Sequence, residues 1–167
     1  MNDTIRVGLV GYGFASKTFH APLISGTSGM ELAAVSSSDA AKVHADWPTA
    51  TVVAEPQALF DDPSIGLIVI PTPNDTHFPL AKAALNAGKH VVVDKPFTVT
   101  LSQARELEAL ATAKGLLLSV FHNRRWDSDF LTLKTLLSEG TLGEVRYFET
   151  HFDRFRPEVR NRWREQK

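Results

Sequence analysis

Short apolar runs alternate along the chain with amphipathic stretches of helical period. The runs Ile5–Val10, Glu31–Ser36, Thr51–Val53, Leu67–Ile70, His90–Val93 and Leu116–Val120 read as strands. They are rich in Val, Ile and Leu and do not alternate apolar with polar, as suits strands covered on both faces of a parallel sheet. Between them, residues 76–87 place Leu80, Ala81, Ala84 and Leu85 on one stripe and stop at Gly88, a natural helix end. Residues 101–114 put Ala104, Leu107, Leu110 and Ala111 on one stripe, with Thr100 and Gln103 as a capping box and Gly115 as terminator. Asp127 or Ser128 is placed to cap a further helix through Leu137, ended by Gly140. Strands alternating with helices predict an α/β fold, because parallel neighbours need crossover connections.

The rhythm changes after Gly143. Glu144–Phe152 alternates polar and apolar residues, the pattern of a strand with one covered face. The arginine-rich stretch Asp153–Lys167 follows without a closing element. It reads as a segment whose packing partner is missing rather than as a phosphate or nucleic-acid contact.

Composition narrows the possibilities. With 167 residues the chain can build one full domain and a little more, and its 43% hydrophobic and 22% charged residues are those of an ordinary globular protein. A net charge of -1 gives no reason to expect nucleic acid or a membrane surface as partner. The absence of cysteine excludes disulfides, thiolate metal sites and cysteine nucleophiles, and no metal site is expected. Residues 1–6 lack a signal-peptide pattern and no apolar run approaches a membrane span, so a cytoplasmic location is expected.

The candidate chemistry begins at Gly11-Tyr12-Gly13-Phe14-Ala15-Ser16, directly after the first strand and before a helix. Gly11 permits the tight turn, and Gly13 lets the backbone approach a pyrophosphate without a Cβ in the way. The N–H groups at Phe14 and Ala15, with the positive end of the helix dipole, suit phosphate oxygens. Ser16 stands where the dinucleotide fingerprint has its third glycine, and is small enough for close helix–strand packing. These features predict a Rossmann-type doubly wound parallel sheet binding a dinucleotide, with a methyltransferase, which can share a glycine-rich first turn, as the alternative.

An NAD site usually carries an acidic residue about 20 positions further on, at the end of the second strand, to hold the ribose 2′-OH. Here that strand runs into Ser36-Ser37-Ser38-Asp39. A serine hydroxyl can donate to a 2′-phosphate, whereas a carboxylate would repel it. Lys42 adds positive charge nearby. Asp39 could cap the next helix or hold the ribose. NADP is favoured over NAD.

Strand four ends in Pro71-Thr72-Pro73-Asn74-Asp75-Thr76-His77 and strand five in Asp94-Lys95-Pro96-Phe97, both where open α/β sheets bind ligands. The ordered set Gly11/Gly13, Pro73-Asn74-Asp75-Thr76-His77 and Asp94-Lys95-Pro96 resembles the glucose–fructose oxidoreductase/inositol dehydrogenase (Gfo/Idh/MocA) family across essentially the whole chain. Two departures stand out: Asp94 replaces the family's usual Glu, and the serine run replaces its acid after strand two.

The resemblance implies a nucleotide-binding domain over 1–122. Over 123–167 it implies a linking helix and the first strand of an α+β second domain that is largely absent. It implies an oxidoreductase of sugars, sugar derivatives or polyols, and an oligomer formed through the second domain. It gives Lys95 the catalytic role beside nicotinamide and substrate, where partial desolvation would lower its pKa and suit it to proton transfer. Alternatively a charged Lys95 holds the substrate oxygen. Cofactor contacts are implied for Pro71, Thr72, Asn74, His77, Asp94, Lys95 and Pro96, with Asn123 and Arg124 as further candidates. The family's Asp-x-x-x-His pair occurs nowhere in the sequence. The proton-transfer histidine is therefore expected beyond Lys167, and the chain alone is expected to bind cofactor without turnover. A non-catalytic NAD(P)-binding sensor is the competing reading.

Overall fold

A computed structural model describes residues 4–158. The chain divides into two compact units, with the boundary between Phe121 and His122. The first holds a six-stranded sheet of β1 (Ile5–Val10), β2 (Met30–Ser36), β3 (Thr51–Val53), β4 (Leu67–Ile70), β5 (His90–Asp94) and β6 (Leu118–Phe121). The strand order is β3-β2-β1-β4-β5-β6 and every pairing is parallel, the doubly wound Rossmann arrangement. The order reverses between β1 and β4, so the crevice where such sheets bind ligands opens beyond Val10 and Ile70.

The helices are α1 (Ala21–Gly26), α2 (Ala40–His44), α3 (Pro56–Asp61), α4 (Asn74–Asn86) and α5 (Leu101–Lys114). Alternate residues of β4 show why the strands lack an in/out pattern. Ile68 and Ile70 join a core cluster with Leu85 of α4 and Leu107 of α5. Val69, between them, joins a second cluster with Val7 and Leu9 of β1, Ile24 of α1 and Val43 of α2. Both faces of the sheet are covered, so every position along β4 is apolar.

The helix ends follow the local chemistry. Thr100 Oγ1 accepts from the Gln103 N–H at 3.3 Å, and Gly115 closes α5 with φ 64°. Helix α4 starts two residues before the expected position 76, on the Pro73 turn. The segment entering α1 departs from an ordinary α-helix: Ser16–His20 is a π-helical stretch running directly into α1.

The second unit contains a 3-10 turn at Asn123–Trp126 and α6 (Ser128–Ser138). The strand expected over Glu144–Phe152 is not formed: this stretch has no regular secondary structure, and Val145, Tyr147, Phe148 and Phe152 are exposed. An alternating pattern becomes a strand only when a neighbour satisfies its backbone N–H and C=O groups, and none of the described residues pairs with this one. Residues 159–167, most of the arginine-rich stretch, lie outside the described residues.

Candidate functional site

At the end of β1 the chain turns at Gly11, whose φ of 82° lies in the region glycine tolerates best. The Gly11 N–H donates to the Ser36 carbonyl at 2.8 Å, tying the turn to the end of β2. Ser16 is buried and its Oγ donates to the Gly11 carbonyl at 2.8 Å. The residue in the third fingerprint position thus fits closely and also clamps the turn from below. Gly13 has an ordinary φ, and a Cβ built on it would meet nothing within 4 Å. No protein neighbour requires a glycine there; space beside the turn is what its missing side chain preserves. Phe14 is 78% exposed, packed edge-on to Phe19, and with Ala15 opens the helix.

An open groove of about 430 Å³ lies at these strand ends. It brings together Gly11, Ser36, Ser37, Ser38, Lys42 and Thr72 from among the expected cofactor residues. It adds Tyr12, Asp39, Ala54, Pro56, Thr76 and Leu80, from the β3–α3 loop and the start of α4 as well as the glycine turn. Asp39 resolves toward capping: its Oδ1 accepts from the Lys42 N–H at 3.0 Å, and its own N–H donates to Ser37 Oγ at 3.1 Å. Lys42 is exposed at the groove wall.

Tyr12, Lys17 and Asp46 form a network that the sequence did not single out. The buried Tyr12 hydroxyl donates to Asp46 Oδ2 at 2.9 Å, and Lys17 Nζ reaches the same carboxylate at 2.7 Å. Burial and the neighbouring carboxylate push the Tyr12 phenol up to about 12. Hydrogen bonds from Lys17 and Tyr12 hold Asp46 below the usual carboxylate range. Tyr12 after β1, Lys17 in the π-helical stretch and Asp46 after α2 are brought together only by the fold.

In the loop after β4, Thr76 Oγ1 lies 2.6 Å from both Thr72 Oγ1 and the Pro73 carbonyl. Pro71 is half-buried, and Asn74 carries a buried Oδ1 with no hydrogen-bond partner, an acceptor open to a ligand donor. His77 is placed differently from the expectation. It is fully buried, with Nε2 at 2.8 Å from the Thr72 carbonyl and Nδ1 at 2.8 Å from the Pro96 carbonyl. Both ring nitrogens face backbone carbonyls, so His77 joins the two loops.

At the end of β5, Asp94 is buried and its Oδ1 accepts from the Lys95 N–H at 2.8 Å. The Lys95–Pro96 peptide is cis, and both side chains are exposed. Among the described residues of its own unit, Lys95 forms no ion pair. Asn123 and Arg124 belong to the second unit, where Arg124 pairs with Asp127 at 2.6 Å and lies over the Phe152 ring. Among the described residues no group of three or more His, Cys, Asp or Glu could hold a metal ion, and no helix is long and apolar enough to cross a membrane.

A parallel sheet of this order, a glycine turn at its switch point and a groove along the strand ends define a dinucleotide-binding Rossmann protein. The sequence model of the Gfo/Idh/MocA oxidoreductase family, described by its NAD-binding Rossmann fold, matches residues 5–122, and the chain belongs to that family. It is 80% identical over 166 residues to the uncharacterized oxidoreductase YdgJ of Escherichia coli, covering 99% of this chain and 48% of YdgJ. It is 44% identical to the NADP(+)-dependent scyllo-inositol 2-dehydrogenase IolW of Bacillus subtilis, over 98% of this chain and 46% of IolW. The solved structure of YPO2259 from Yersinia pestis superposes with a TM-score of 0.95 at 78% identity, covering 99% of this chain and 47% of that one. The chain thus spans about half the length of the relatives it matches. The residues present fit an NAD-type cofactor: the space beside Gly13, the unpartnered Asn74 Oδ1 and the groove all accommodate one.

Proposed function

We propose that this chain is the cofactor-binding portion of an NAD(P)-dependent oxidoreductase acting on a hydroxyl-bearing carbon of a sugar, sugar derivative or cyclic polyol, with NADP preferred. The observation that carries the cofactor choice is the groove wall at the end of β2. Ser37 and Ser38 offer hydroxyls, Lys42 offers a cation, and the nearby carboxylate of Asp39 is occupied as the cap of α2. That wall suits a 2′-phosphate. The name of IolW, a relative at 44% identity, points the same way and suggests cyclic polyols as substrates.

The Gly11–Ala15 turn would take the pyrophosphate on its N–H groups, and the Thr72–Asn74 loop would offer polar contacts further along the groove. A bound nicotinamide would supply hydride exchange with the substrate carbon. Lys95, exposed at the end of β5, would take the hydroxyl proton as the neutral amine and return it as the ammonium, or as the ammonium hold the substrate oxygen by hydrogen bond. Asp94 fixes the backbone from which Lys95 extends.

The test is a titration of NADPH and NADH followed by a turnover screen on inositols and sugars, using a full-length protein that carries this chain. Tighter NADPH binding, with turnover that Lys95→Ala abolishes while leaving NADPH affinity intact, is expected. Unchanged turnover in Lys95→Ala removes Lys95 from the mechanism. Tight binding without turnover on any polyol favours a sensor.

A further inference from the structure

One polar side chain beside Lys95 has no role in the reading above. His20 closes the π-helical stretch before α1, and only 4% of it is exposed. Its ring packs on Phe121 of β6, centroid to centroid 4.4 Å. Its Nε2 is buried without a hydrogen-bond partner, and a buried polar atom in that state needs an explanation. The group that faces it is Asp94, with Oδ2 at 4.0 Å, and the other oxygen of the same carboxylate receives the Lys95 N–H.

We propose that His20 is a positioning residue for Lys95: its Nε2–H holds one oxygen of Asp94 while the other oxygen holds the Lys95 backbone. The proposal rests on the reading of Lys95 given above. Its geometry is a chain of three residues from the glycine-turn helix to the end of β5. The 4.0 Å separation is longer than a hydrogen bond, and contacts of this kind tighten when a site closes on its ligands. Burial lowers the proton affinity of the ring, with Asp94 acting in the opposite direction, so the neutral ring is favoured. A neutral ring with its proton on Nε2 presents a donor to the carboxylate. Asp94 is the charge facing the ring from β5, and Phe121 is the neighbour from β6. On the ring's own helix, Lys17 is engaged by Asp46. The arrangement also gives the buried Asp94 a second partner, which a shortened acid in this position needs if it is not to swing away from Lys95.

The test uses the full-length protein and two independent readouts. The first is the nitrogen-resolved NMR titration of the His20 ring, assigned by its loss in His20→Gln. The expected result is a neutral ring with the proton on Nε2, and a titration midpoint that moves lower in Asp94→Asn. An identical midpoint and tautomer in Asp94→Asn overturns the proposal whatever the protein's activity. The second readout is steady-state turnover with scyllo-inositol and NADP+. His20→Phe, which keeps a ring on Phe121 but loses the donor, is expected to lower kcat by roughly tenfold or more with little change in KM or NADPH affinity. His20→Gln, which keeps an N–H at similar reach, is expected to recover most of that loss. Equal losses in both variants, or a loss confined to thermal stability, would mark His20 as packing alone. If Lys95→Ala leaves turnover intact, the reading of Lys95 fails separately, and the NMR result still decides whether His20 and Asp94 are coupled.

Discussion

The Nδ1 atom of His77 lies 2.8 Å from the Pro96 carbonyl oxygen, so the first turn of α4 is tied directly to the loop that carries Lys95. The opposite nitrogen reaches the Thr72 carbonyl. One imidazole thus spans the loops after β4 and β5. Replacing His77 with Phe keeps much of the volume but removes the ring N–H that bonds one of these carbonyls, so a stability loss of about 1 kcal/mol or more is expected. Urea unfolding measures it, and an unchanged midpoint would show that neither contact matters. Cofactor affinity should fall with it, because the loop after β4 lines the groove through Thr72 and Pro73.

Gly13 separates folding from binding. A side chain there meets no protein atom, and its backbone does not require glycine. Gly13→Ala is expected to leave stability unchanged or raise it by a few tenths of a kcal/mol, because the unfolded chain loses freedom. The same methyl group occupies the space needed by a pyrophosphate, so NADPH affinity should drop by about tenfold or more, equivalent to about 1.4 kcal/mol. Thermal melting and fluorescence titration read the two effects, and a variant that binds as tightly as wild type would move the phosphate site elsewhere.

The proposed cofactor preference rests on the end of β2. Ser37→Asp places a carboxylate on the groove wall facing the ribose, and should weaken NADPH relative to NADH by about tenfold. Lys42→Met should also weaken NADPH, with less effect on NADH, and should flatten the salt dependence of NADPH binding because an exposed cation is screened by salt. An unchanged NADPH-to-NADH ratio in both variants would exclude these residues from the choice.

Much of this architecture is legible in the residue pattern. Runs of Val, Ile and Leu identify the strands because both sheet faces are covered, and Thr100 and Gly115 mark the ends of α5 by chemistry that acts within a few residues. The glycine turn is legible for the same reason. What depends on long-range placement is not. His77 carries no mark of being buried between two carbonyls rather than facing a ligand. Nothing near Tyr12 in the chain indicates that Asp46 will meet its hydroxyl. The π-helical stretch ending at His20 leaves no periodic signal, because one widened turn is too short to shift an apolar stripe. The alternation over Glu144–Phe152 describes which side of a strand would be covered, but not whether a neighbouring strand is there to pair with it.

Tyr12 offers a pH test of the network behind the glycine turn. Its phenol is raised from 10.0 to about 12 by burial and by Asp46, so the folded protein holds the neutral form more firmly than the unfolded chain does. A group raised on folding contributes stability that is fully present below its unfolded value. As pH climbs from about 10 to about 12, the unfolded chain ionises first and that contribution is lost. The fold should therefore weaken across this window, and Tyr12→Phe should weaken less steeply there while being less stable at neutral pH for want of the bond to Asp46. Phenolate absorbance followed against pH should show a late-titrating tyrosine that disappears in Tyr12→Phe. Tyr147 is also raised, by its hydrogen bond to Glu149, so the reading is the amplitude lost in the variant; if the late step keeps its full amplitude in Tyr12→Phe, the hydroxyl is not held by Asp46.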